Sequence, residues 1–109
     1  MPANFDVSID RRSDGVAVRI VGELDAAAVF RLEPVLEEIA VGAETRRIVL
    51  DLRDLRFVDS AGLAVLVAAH ERFQARGVEV FFIRPGANVM RVLELTGLDA
   101  AFDIRSPRD

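Results

Sequence analysis

With 109 residues and 51% hydrophobic side chains, the chain is long enough to bury a core within one domain and too apolar for a disordered tail. It has no cysteine and a single histidine, His70, which exclude a disulfide framework and a thiolate metal site and leave zinc only carboxylates to complete its ligands. All fourteen basic residues are arginine, which removes Schiff-base chemistry and the P-loop lysine, and a net charge of -4 points to protein rather than nucleic-acid partners.

The first ten residues, MPANFDVSID, contain no apolar core of a signal peptide, and no apolar run reaches the roughly 20 residues a membrane helix needs. A cytoplasmic protein without membrane insertion is the expectation. Phe5, Val7 and Ile9 alternate with Asp6, Ser8 and Asp10, the period of a half-buried strand. Asp14-Gly15 suits a tight turn, and Val16, Val18 and Ile20 resume the alternation, so the chain opens with an antiparallel hairpin.

After Gly22-Glu23-Leu24-Asp25 the period changes to that of a helix, with Val29, Leu32, Leu36 and Ile39 on one stripe. Asp25 is placed to cap it, and Gly42 to stop it. Pro34 predicts either a late start near Val29 or a kink. Ile48-Val49-Leu50-Asp51-Leu52 then reads as a central strand covered on both faces. A short charged turn leads to a helix over Ala61 to Arg76, ended by Gly77. Its spacing predicts Leu63, Leu66, Val67, His70 and Phe73 inward, with Ala61, Val65, Ala68 and Arg72 outward and Ala64 on the border. Val78 to Ile83 is the next strand and Arg84-Pro85-Gly86 the next loop. Asn88 is placed to cap a third helix carrying Val89, Val92, Leu93 and Leu95, closed by Thr96-Gly97. Leu98, Phe102 and Ile104 suggest a short last strand or a packed tail, with Ser106 to Asp109 loose. The order implies a single α/β domain over 1–109, ordered over about 4–105: a mixed four- to five-stranded sheet with helices packed on it and right-handed parallel crossovers.

A Ser-His-Asp reading fails on distance. Ser60 and His70 on one helix stand roughly 15 Å apart along the axis, and no G-x-S-x-G elbow surrounds the serine. No catalytic residue is therefore assigned, and His70 is read as structural. Glu23, Asp25 and Asp59 are expected near strand ends on one rim of the sheet, where they suit either a cation or the capping of helix starts. Asp59 is also placed to orient the Ser60 hydroxyl. The small residues Ala61, Ala64 and Ala68 give either a close-approach surface or simply good helix formers.

Gly22-Glu23-Leu24-Asp25, Ile48-Val49-Leu50-Asp51-Leu52 and Phe57-Val58-Asp59-Ser60-Ala61-Gly62-Leu63 together resemble the STAS domain of anti-sigma factor antagonists. The resemblance extends to the Pro85 loop and the Thr96-Gly97-Leu98 segment. It implies a binding module that is also a protein substrate: it engages an anti-sigma factor that is an ATP-dependent serine kinase and so frees a sigma factor. The kinase phosphorylates the serine after the aspartate, here Ser60, and a metal-dependent serine phosphatase reverses the step. The implied contact residues are Glu23, Asp25, Asp59, Ser60, Ala61, Gly62, Ala64, Val65, Ala68 and Arg72, with no cofactor or metal, on a monomer or weak dimer. Ala61 stands where many relatives carry a second hydroxyl, and the fourth helix that ends many relatives is expected to be absent. Ala61-Gly62-Leu63-Ala64 is also similar to STAS subunits of lipid-transport ABC systems, which bind an ATPase without a serine switch.

Overall fold

The computed structural model describes residues 4–42 and 45–106; of the end expected to be loose, 106–109, residues 107–109 lie outside them. Strands β1 (Phe5–Arg11) and β2 (Val16–Leu24) form the antiparallel hairpin, with Ile9 opposite Val18. The Arg12 amide donates to the Gly15 carbonyl at 2.8 Å to close the turn. Helix α1 (Ala26–Val41) begins immediately after Asp25, whose Oδ1 accepts from the Ala28 amide at 2.9 Å. This cap removes the need for a late start near Val29. Pro34 stays inside the helix on its exposed side, where solvent can reach the carbonyl that its missing N–H leaves unpaired.

Strand β3 (Arg47–Asp51) is central and parallel to β2 and to β5 (Glu79–Ile83). Among the described residues the sheet has six strands rather than four or five: five run in the order β1-β2-β3-β5-β6, and Leu55–Val58, where only a turn was expected, is a sixth, β4, which pairs with β2 off that path. The cause is a difference in length. β3 pairs with only Val16 to Arg19 of the longer β2, leaving Gly22 to Leu24 to receive β4 in parallel. The crossing is pinned from two sides: the Gly22 amide donates to the Asp54 carbonyl at 2.9 Å, and Arg19 Nε to Asp54 Oδ2 at 3.0 Å. Gly22 has φ 99 at a bulge, and a Cβ there would run into the Asn4 carbonyl.

Helix α2 (Ser60–Ala75) follows β4, and β5 leads to α3 (Ala87–Thr96). Asn88 does not cap α3: the helix starts earlier, with Gly86 at the cap position and its carbonyl accepting from the Met90 amide at 2.8 Å. Leu95, expected on the packed stripe, is 77% exposed, while Val89 and Leu93 are buried. Gly97 has φ 76 and ends α3; a one-turn helix α4 (Leu98–Ala101) and a short strand β6 (Ile104–Arg105) complete the described chain. α4 lies ahead of the last strand and so is not the terminal helix that many relatives carry.

Parallel register lines up the core. Val16, Ile48 and Val80 make one row across β2, β3 and β5, and Val18, Leu50 and Phe82 the next, all buried. Leu32, Leu36 and Ile39 of α1 and Leu66 and Phe73 of α2 join them in a single cluster, each such side chain contributing about 1.5–3 kcal/mol by burial. Among the described residues no helix covers the opposite face of the sheet in this way, and that face carries charge pairs. Phe81 lies there between the guanidinium groups of Arg47 at 5.3 Å and Arg105 at 4.3 Å, and Arg47 bonds Glu79 at 3.2 Å. β3 is therefore covered by helices on one face only, which corrects the expectation of cover on both. His70 is buried, with its ring 4.9 Å from that of Phe102, which stacks on Phe82 at 4.1 Å. Its position, packed among core aromatics, is the one expected.

Candidate functional site

The ends of β2 and β4 meet. The Asp59 amide donates to the Leu24 carbonyl at 3.2 Å, which sets the turn into α2 against the turn into α1. Gly62 makes this approach possible, since a Cβ on it would stand 2.5 Å from the Leu24 carbonyl oxygen, 2.7 Å from Leu24 Cγ and 2.9 Å from Val58 Cγ2. Asp59 is the donor end of this bond and Asp25 follows the acceptor, Leu24, in sequence; the two aspartates do the same work. Each is extended, with ψ −175, and each accepts a first-turn amide of its helix, Ala28 for Asp25 and Gly62 for Asp59.

Ser60 is the first residue of α2 and is exposed. The Asp59 carboxylate does not orient the serine hydroxyl as anticipated; its Oδ1 accepts from the Gly62 amide at 2.9 Å. The hydroxyl projects at the positive end of the α2 dipole, where negative charge is stabilised by about 0.3–1 kcal/mol. His70 lies ten positions along the same helix, in the aromatic cluster, and the two side chains are not brought together. Among the described residues no group of three or more His, Asp and Glu is placed to hold a metal ion.

Of the expected contact residues, Asp25, Asp59 and Ser60 are brought together on one rim. Glu23 is set apart from them. It is out of phase with the buried residues of β2 and pairs with Phe57 of β4, facing away from α1 and α2. Ser60, Ala64, Ala68 and Arg72 form an exposed line along α2, with Ala61 half-buried beside its start. Two expectations fail: Val65 is 8% exposed and turned toward α1 rather than outward, and Gly62 is buried under the rim. Arg72 forms an ion pair with Glu37 of α1. Sequence reasoning missed Phe30, which is 79% exposed on α1, and Phe57, 47% exposed beside the rim. The signal for Phe30 was available, since it falls off the Val29-Leu32-Leu36-Ile39 stripe.

A family profile described as STAS domain matches residues 6–108. The anti-sigma-B factor antagonist of Bacillus subtilis is 30% identical over 105 residues, covering 93% of this chain and 91% of its own length. A crystal structure of an anti-sigma factor antagonist from Mycobacterium paratuberculosis superposes with a TM-score of 0.84 at 24% identity, over 95% of this chain and 86% of that one. SpoIIAA, an anti-sigma factor antagonist, matches in its unphosphorylated form with a TM-score of 0.79 at 20% identity, covering 93% of this chain and 89% of its own. Its phosphorylated form, from Bacillus, matches at 0.73 and 19%, over 93% and 92%. These structural likenesses concern the fold.

Proposed function

The chain belongs to the STAS domain family, and on that premise we propose that it is an anti-sigma factor antagonist whose partner binding is switched by phosphorylation of Ser60. The observation that carries the reading is the setting of Ser60: exposed, at the first position of α2, on a rim built by two capping aspartates. The chain acts as substrate and ligand rather than as catalyst. An anti-sigma factor serine kinase supplies the ATP, so the chain needs no cofactor of its own. The Ser60 oxygen forms the new bond to the γ-phosphorus, ADP leaves, and the hydroxyl proton passes to a base of the kinase. A serine phosphatase restores the hydroxyl.

The electrostatics support a switch that leaves the fold intact. A phosphate adds about −1.5 to −2 charge at a helix start, where amides and dipole favour it. The same charge then stands next to Asp59 and faces the nucleotide phosphates that the kinase must hold at this point. Like charges across the contact weaken binding while the domain stays folded. We place this exchange in the cytoplasm, in keeping with the absence, among the described residues, of any helix long and apolar enough to cross a membrane.

Incubation with the kinase and ATP is expected to add one phosphate to the wild-type chain and none to Ser60→Ala, read by intact mass. Phosphate on both proteins would overturn the site. Phosphate on neither, with binding to a transporter ATPase instead, would favour the lipid-transport reading.

A further inference from the structure

We propose that the groove between α1 and α2 is a second part of the docking surface, filled by a basic, apolar segment of the same anti-sigma partner that meets Ser60. This inference rests on the functional reading above and adds a site and a partner chemistry to it.

The groove has an apolar floor of Leu36, Ala40, Val65, Ala69 and Phe73, and its rim carries Glu33, Glu37 and Arg72. Its volume of about 110 Å³ admits one or two side chains and falls short of the 300–1,000 Å³ typical of small-molecule pockets. A protein segment is the occupant that fits.

The groove is continuous with the serine rim. Both helices start there, capped by Asp25 and Asp59, and the Glu37–Arg72 ion pair joins positions twelve and thirteen residues beyond those caps, so the helices run level. Phe30 lies five residues past Asp25, and three and seven before Glu33 and Glu37, which places it on their side of α1. Ala64 lies five residues past Asp59. Phe30 therefore stands where the groove opens toward Ser60, 79% exposed. A large aromatic held in water on a rigid helix, at the mouth of an apolar groove, has the character of a binding anchor.

Charge selects the occupant. Two glutamates face one arginine on the rim, so the groove favours a partner segment carrying Lys or Arg beside its apolar side chains. A second copy of this chain would oppose acid to acid and is disfavoured. Ala68, beside the groove, lies eight residues beyond Ser60, about 12 Å along the axis and near the screening length of physiological salt. Phosphate on Ser60 and contacts in the groove should thus act independently.

The test is calorimetric titration of the full chain with purified anti-sigma serine kinases of the source organism, loaded with ADP. Phe30→Ser and Glu33→Lys should each bind the kinase at least tenfold more weakly with unchanged circular dichroism, and the loss in Glu33→Lys, farther along the helices from the serine, should multiply with that of Ser60→Asp. Wild-type affinity in both groove variants, alongside lost binding by Ser60→Asp, would overturn the groove and leave the serine switch standing. Absence of wild-type binding to any such kinase would overturn the functional reading itself. A wild-type dimer in sedimentation that Phe30→Ser dissolves would assign the groove to self-association and overturn the proposal.

Discussion

At the residue scale, Gly62 is a position at the site that no larger residue can fill without a clash. The nearest obstacle to a Cβ is the Leu24 carbonyl, a backbone group that cannot turn aside. Gly62→Ala is expected to cost about 1–3 kcal/mol, lowering the thermal midpoint by roughly 4 °C or more, whereas Ser60→Ala on the exposed surface should leave it unchanged. A Gly62→Ala midpoint equal to wild type would show that α2 does not rest on β2 as described. Ser60 and the two caps were legible in the sequence because capping is local and depends on residue type at a fixed offset. Gly62 and Val65 were misread as surface. Helical spacing assigns one buried side, but α2 packs against both the sheet and α1, so its buried sector is wider than a single stripe.

At the scale of elements, β4 was the part the sequence hid. Leu55–Val58 is four residues with only its ends buried, and no alternation betrays it. The clue lay elsewhere, in a β2 longer than the strand beside it. Asp54 makes the connection between β3 and β4 hold. Its bond from Arg19 keeps the carboxyl below its ordinary value of 3.8. A group with a depressed native pKa adds stability above its unfolded pKa and loses it as pH falls through the native one. The stability gap between wild type and Asp54→Asn in urea should therefore be widest near neutral pH and close on acidification below 3.8. A gap that does not change with pH would remove the ion pair from the account. Of the late start and the kink that Pro34 left open for α1, the late start is excluded for a related reason: the Asp25 cap had already committed the chain.

At the scale of the whole molecule, the alternation of strands and helices predicted the α/β class, and the parallel register of β2, β3 and β5 bears it out. The groove was not legible, because it depends on the angle and spacing of two helices that no periodicity records. Placing Ser60 requires the bond between Leu24 and Asp59, residues 35 positions apart, and hence β2, β4 and both caps in their native places. A peptide spanning 55–67 carries the same serine without that setting, and phosphate transfer to it should fall far below transfer to the intact domain; equal rates would show that the kinase reads a linear motif. On the proposed function, the bond between those two turns ties the serine switch to completed folding: a copy in which β2 and β4 have not met is expected to be a poor substrate, so the phosphate mark would report on finished molecules.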